Sequence, residues 1–201
     1  MRALIITALL LLGACAQQGA QAQTATSASA ASDLQANWTM DKSKSVLSFS
    51  AEQGGESFTG TFEVFDAQIK FSPDDLKGSK VIVDITLGSA DAGDVERTEA
   101  LPSKEWFYVD KFPKAKFETT GFAHKGGDRY EAQAGLTIRG ITKSVTLPFT
   151  LKIEDERAVM QGSLTLNRRD YKIGNGMWES EDWAGHNVNV SIALEATSAA
   201  N

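Results

Sequence analysis

The chain has 201 residues, with 20 Lys and Arg against 26 Asp and Glu and a formal net charge of −6. This length fits one domain of ordinary size, and the acidic balance argues against a nucleic-acid partner, because phosphate binding needs clustered cations. A single cysteine excludes an intramolecular disulfide, and two histidines leave little room for a metal cage. We therefore expect neither metal nor cofactor.

The first 14 residues have the layout of a secretory signal peptide. Arg2 precedes an apolar run, Ala3 to Leu12, which is too short to span a bilayer. The run leads into Leu-Gly-Ala-Cys, which resembles a bacterial lipobox that would be lipidated at Cys15. The pattern Ala20-Gln21-Ala22 offers ordinary signal-peptidase cleavage instead. We expect export to the periplasm in either case, tethered to the outer membrane through Cys15 or soluble.

Residues 15–36 are almost entirely Ala, Gln, Ser, Thr and Gly. Such a segment has little apolar surface to bury, which predicts a disordered tether. The folded domain is then expected over residues 37–198.

Within that domain, apolar residues first alternate with polar ones at every second position, which is typical of half-buried strands. A turn is indicated at Pro73-Asp74-Asp75. The alternating apolar residues of this half include Leu47, Phe49, Phe58, Phe62, Ile69, Phe71, Val81, Val83, Ile85 and Leu87.

The alternation stops between Ser89 and Pro113. Residues that favour helices replace it, and Trp106 and Phe107 follow a candidate N-cap at Ser103. A short helical segment is predicted between about residues 91 and 108.

Alternation then resumes and continues to the end of the domain, with turns at 126–128, 139–140 and 154–156. A loop rich in Gly and Trp precedes the last strand. About eight or nine strands joined by short turns predict an all-β protein, either an antiparallel barrel or a sandwich. The apolar residues here include Phe117, Tyr130, Ala132, Leu136, Leu147, Phe149, Met160, Leu166, Val190 and Ile192.

Residues that carry catalysis are scarce. Gly-x-Ser-x-Gly is absent. His124 and His186 lie where turn and loop hydrogen bonds are expected, and Glu179, Glu181 and Asp182 lack the regular oxygen spacing of a calcium loop. We expect a protein that is not an enzyme.

The inward face is the remaining candidate site. A barrel of about eight strands is either filled by side chains or holds one small ligand. An outer-membrane barrel is disfavoured, because aromatic residues are few and the chain does not end on one.

Collinear motifs then resemble the YceI-like family over residues 37–197. They include Trp38-Thr39-Met40-Asp41, Glu105-Trp106-Phe107-x-Val109, Gly135-Leu136-Thr137-Ile138-Arg139-Gly140 and Asn167-Arg168-x-Asp170-Tyr171-x-Ile173-Gly174. The resemblance implies a lipocalin-like, extended antiparallel barrel whose hydrophobic tunnel binds isoprenoid lipids such as quinones or prenyl phosphates. It also implies that a homodimer can form. Many members of the family have two histidines that this chain lacks: Ser43-Lys44-Ser45 and Gln53-Gly54 occupy those places. Any role that these histidines have in the family is therefore not assigned to this chain.

These observations predict an envelope protein that binds an isoprenoid or other long-chain lipid and is a candidate carrier of it. The alternative is a structural or stress-response protein with a filled barrel. We expect Trp106, Phe107, Trp178 and Trp183 to cap the tunnel, with Arg168 or Arg169 available to a polar head group. The predicted ligand-binding residues are Phe49, Phe58, Phe62, Val83, Ile85, Trp106, Phe107, Phe117, Phe149, Arg168 and Trp178.

Overall fold

The computed structural model describes residues 34–199. The predicted signal peptide, Cys15 and all but the last three residues of the predicted tether lie outside this range. Within it, no helix is both long and apolar enough to cross a membrane.

The described chain is mostly strand, with one short helix, α1 (Val95–Ala100), and 3₁₀ turns at Leu87–Ser89, Arg168–Tyr171 and Gly176–Glu179. The strands are β1 (Trp38–Met40), β2 (Val46–Gln53), β3 (Glu56–Phe62), β4 (Phe65–Lys70), β5 (Lys80–Thr86), β6 (Ala90–Asp91), β7 (Lys114–Gly126), β8 (Arg129–Ile138), β9 (Ile141–Glu154), β10 (Arg157–Asn167) and β11 (Asn187–Ser198).

These strands occupy eight positions in a closed barrel. Strand β11 pairs with β1 near its end and with β2 nearer its start, so β1 and β2 share one position. Strands β3 and β4 share another, since β3 pairs with β2 while β4 pairs with β1 and β5. Strands β5, β7, β8, β9, β10 and β11 complete the ring, and every pairing is antiparallel. The predicted lipocalin-like, all-β antiparallel barrel is confirmed.

The alternation read from the sequence explains the inward face. On β8, Tyr130, Ala132, Ala134 and Leu136 are buried, while the residues between them are only partly buried. Successive side chains of a strand point to opposite faces, so an apolar residue at every second position gives the barrel one continuous apolar interior.

The helical segment is where the sequence predicts it but is shorter, and its predicted cap is wrong. Helix α1 begins after Asp94, whose Oδ1 accepts a hydrogen bond from the Arg97 backbone N–H at 3.1 Å. Ser103 lies in a turn, where its carbonyl accepts from the backbone N–H groups of Trp106 and Tyr108. Asp94 and Ser103 are both good cap residues, so residue preference alone did not decide between them.

The two ends of the barrel differ in their connections. The strands are joined at one end, the lower end, by segments 71–79, 127–128 and 155–156. At the upper end lie the turns at 54–55 and 139–140 and two long segments, 87–113 and 168–186. The upper end therefore carries most of the irregular structure that can shape an opening.

Candidate functional site

The barrel interior contains an apolar cavity of about 210 Å³, the inner compartment. Among its lining residues, only Thr119 and Trp38 carry a polar side-chain atom, and both atoms are hydrogen bonded. Thr119 Oγ1 accepts from the Val81 N–H at 2.8 Å, and Trp38 Nε1 donates to the Phe71 carbonyl at 3.0 Å. The wall of this compartment therefore offers no free hydrogen-bonding group.

Four packed aromatic rings lie towards the lower end, and we refer to Phe71, Phe122, Tyr130 and Phe149 as the aromatic floor. The ring centroids of Phe71 and Phe122 are 5.1 Å apart, and those of Tyr130 and Phe149 are 5.5 Å apart. Edge-to-face and stacked arrangements of this kind are favourable and fix the orientation of each ring.

A second cavity of about 540 Å³, the outer compartment, lies beneath the upper end. Strands β2 and β3, helix α1 and the segment 168–186 form its walls. It is adjacent to the inner compartment, because the same five residues line both: Phe62, Phe107, Ile138, Leu166 and Val190. The two adjacent compartments extend from the upper end towards the aromatic floor, and we refer to them together as the tunnel.

The structure places all eleven predicted ligand-binding residues along this tunnel. Phe62, Val83, Ile85, Phe107, Phe117 and Phe149 line the inner compartment. Phe49, Phe58, Trp106, Arg168 and Trp178 line the outer one, which Phe62 and Phe107 also reach.

Two of the four predicted capping aromatics meet at the upper end. The rings of Trp106 and Trp178 have centroids 5.6 Å apart. Arg139, in the turn between β8 and β9, fixes this neighbourhood by donating to the carbonyls of Trp106 and Lys172, each at 2.5 Å. Trp183 is 54% exposed and is absent from the lining of either compartment.

Arg168 does not have the role that the sequence predicts. The residue is only 4% exposed, and all five N–H donors of its guanidinium are engaged by backbone carbonyls. It therefore has no donor left for a head group. The acceptors are Gly185 at 2.9 Å, Ile173 at 2.7 Å, Gly174 at 3.2 Å, Trp178 at 2.5 Å and Ala184 at 2.7 Å.

These contacts tie the segment 168–186 to one side chain. Gly174 adopts a left-handed backbone conformation (φ 72°), and a Cβ there would lie 2.2 Å from Arg168 Nη1. Burial lowers the pKa of Arg168, a change that Arg169 reinforces and the nearby Glu181 and Glu179 oppose. The motif containing Arg168 and Gly174 thus builds the tunnel wall.

Arg169 is engaged as well. Its Nη1 donates to the carbonyls of Ile173, at 3.2 Å, and Gly174, and its Nη2 lies 3.2 Å from Glu179 Oε1. Arg168 therefore has no free donor, and Arg169 is already engaged by two carbonyls and a carboxylate. Sequence position alone does not show which backbone carbonyls a folded loop presents.

Sequence reasoning missed the polar residues of the outer compartment other than Arg168, among them Arg97 and Tyr171. Tyr171 is 2% exposed, and burial raises its pKa to about 12, so the phenol is neutral at physiological pH. Arg97 lies on α1, and the spacing of residues in the sequence does not indicate where α1 packs against the barrel.

The remaining polar candidates have local roles. His124 Nε2 lies 2.7 Å from the Gly127 carbonyl in the β7–β8 hairpin, and His186 Nε2 lies 2.8 Å from the Glu179 carbonyl. Within residues 34–199, no group of three His, Cys, Asp or Glu side chains is arranged to hold a metal ion.

A closed eight-position antiparallel barrel around an apolar inner compartment defines a lipocalin-like protein. The model of the YceI-like domain matches residues 38–196, and the chain belongs to that family. A UPF0312 protein of Photorhabdus laumondii is 35% identical over 153 residues, which are 72% of this chain and 79% of that protein.

Solved structures show the same fold. BcnA of Burkholderia cenocepacia is 29% identical, with a TM-score of 0.76 over 79% of this chain and 99% of that one. A polyisoprenoid binding domain from Saccharophagus degradans, implicated in plant cell wall breakdown, is 14% identical, with a TM-score of 0.66 over 82% of this chain and 99% of that one.

Proposed function

We propose that this chain is a bacterial envelope protein that binds an isoprenoid or other long-chain amphiphilic lipid and serves as its carrier. The observation that carries the proposal is the pair of adjacent compartments, of which the inner one is apolar and the outer one contains charged groups. In this arrangement the lipid tail occupies the inner compartment and the head group lies in the outer one.

The energetics favour a long apolar chain as the ligand. Moving a methylene from water into an apolar site contributes about 0.8 kcal/mol, so affinity grows with each unit that enters the tunnel. The inner wall has no free polar group to select a particular tail, because the polar atoms of Thr119 and Trp38 are already hydrogen bonded. A flexible hydrocarbon tail matches such a wall better than a rigid polar ligand does.

Two further observations support binding over the alternative roles. The inner cavity favours a ligand over a filled structural barrel, since a filled core leaves no comparable void. The residues that line the two compartments include no histidine, serine or cysteine, which favours binding over catalysis. The polyisoprenoid binding domain from Saccharophagus degradans has the same fold, and it suggests the isoprenoid class.

Native mass spectrometry tests the proposal directly. Protein purified from the envelope of its own cells should carry a co-purifying lipid, released as a hydrophobic species on denaturation. Stripped protein should take up an added C20 isoprenoid with a stoichiometry of one. A clean unliganded mass together with no uptake of the added lipid contradicts the proposal.

We also propose that the mature protein is anchored in the outer membrane through Cys15. Radiolabelled palmitate should then enter the wild-type protein, and Cys15→Ser should abolish the label. Inhibition of signal peptidase II should cause the precursor to accumulate. A mature N-terminus at Gln23 would instead show cleavage after Ala22 and a soluble periplasmic protein.

A further inference from the structure

Arg97 is the unassigned cation of the tunnel. The outer compartment is lined by two arginines, Arg97 and Arg168, and every donor of Arg168 is occupied by a backbone carbonyl. Arg97 differs, since among residues 34–199 its guanidinium takes part in no hydrogen bond or ion pair, and its Nε is buried without a partner.

The guanidinium of Arg97 is nevertheless held in place. Its carbon atom lies 4.7 Å from the ring centroid of Phe58, within the range of a cation–π contact. The backbone is fixed by the Asp94 cap at the start of α1. The cation–π contact does not use the hydrogen-bonding capacity of the guanidinium, and its Nη1 and Nη2, which unlike Nε are not buried, remain available to an acceptor.

The charge around Arg97 restricts the kind of acceptor it can take. Glu52, Asp94 and Glu96 also line the outer compartment and are exposed at its rim. Three carboxylates repel a head group that carries several negative charges, whereas a carbonyl oxygen or a single oxyanion can still accept from the guanidinium.

We propose that Arg97 binds the head group of the lipid through an acceptor oxygen that is either neutral or singly charged, and that it thereby selects among lipids with the same tail. This inference rests on the proposed lipid-binding function. It places the head group beside α1, with the tail passing the shared boundary at Phe62 and Phe107 into the inner compartment.

Lipids with matched tails test the inference. The probes are a C20 isoprenoid carboxylic acid, the acetate ester of the C20 alcohol, the C20 diphosphate and a C20 hydrocarbon without a head group. Dissociation constants would be measured for the wild type, Arg97→Gln, Arg97→Lys and the control Arg129→Gln. Arg129 is exposed in the β7–β8 hairpin, where its Nε lies 3.5 Å from the Gly126 carbonyl.

We expect Arg97→Gln to weaken binding of the carboxylic acid by about tenfold, the effect of losing one charge-assisted hydrogen bond, and binding of the ester by less. Hydrocarbon binding should be unchanged, Arg97→Lys should retain most of the affinity for the acid, and Arg129→Gln should resemble the wild type. The wild type should bind the acid more tightly than the diphosphate. Thermal unfolding of each variant checks that the barrel is intact.

The outcomes separate the two proposals. Failure of the wild type to bind any probe overturns the lipid-binding function and the inference with it. If the wild type binds the probes but Arg97→Gln loses affinity equally for all of them, or loses none, the role of Arg97 is overturned and the lipid-binding function stands. If the wild type binds the diphosphate more tightly than the acid, the inference that the head group carries at most one negative charge is overturned.

Discussion

Arg168→Met is expected to lower the free energy of unfolding by about 3–5 kcal/mol, which is a large part of the stability of a domain of this size. The substitution keeps a long apolar stem but removes five donors from a site that is 4% exposed. The carbonyls of Ile173, Gly174, Trp178, Ala184 and Gly185 then lose a partner within the same buried region.

Urea denaturation and thermal unfolding measure this effect, and the melting temperature should fall by roughly 10 °C. Arg157→Met is the matched control, because Arg157 forms a solvent-exposed ion pair with Glu195 at 2.8 Å. Its loss should be much smaller. Equal losses in the two variants would contradict the structural role assigned to Arg168.

Ala132→Phe is expected to abolish lipid binding while the barrel stays folded. Ala132 is 3% exposed on β8 and lines the inner compartment, so a phenyl group there takes the volume of the tail. Displacing four methylenes removes about 3 kcal/mol of binding free energy, a loss of more than a hundredfold. Crowding costs about 1–3 kcal/mol of stability, partly offset by filling the void.

Intrinsic tryptophan fluorescence during lipid titration provides the measurement, since Trp106 and Trp178 line the outer compartment. Ala193→Phe is the control: Ala193 lies on β11 between the tunnel-lining Ile192 and Leu194, and its side chain therefore points to the outer face of the barrel. It should keep the affinity of the wild type. Undiminished binding by Ala132→Phe would place the lipid outside the inner compartment.

Much of the fold was predictable from the sequence, because the long strands alternate and several of the turns between them carry strong signals. The stripe on β8, for example, fixes both its strand identity and its inward face. The same logic led to the aromatic and aliphatic residues of the tunnel, such as Phe62, Val83 and Phe117, since residues on one face of a barrel strand share its interior.

The polar part of the site was not predictable in the same way. A motif containing Arg168 and Arg169 suggests head-group binding, but both side chains hold backbone carbonyls that only the folded segment 168–186 presents. Arg97 gave no signal because its importance depends on where α1 packs and on the ring of Phe58 beneath it. Periodicity predicts strand faces, whereas the partners of charged groups depend on tertiary contacts in irregular segments.

The position of the aromatic floor limits the length of tail that the tunnel can hold. Under the proposed function, a lipid tail would extend from Phe71 and Phe149 up to a head group beside α1. A tail shorter than this span leaves part of the inner compartment empty, and a longer one must fold back or leave its head group outside. If the ligand is an isoprenoid as proposed, the barrel would then select its chain length in steps of one isoprene unit, independently of head-group chemistry.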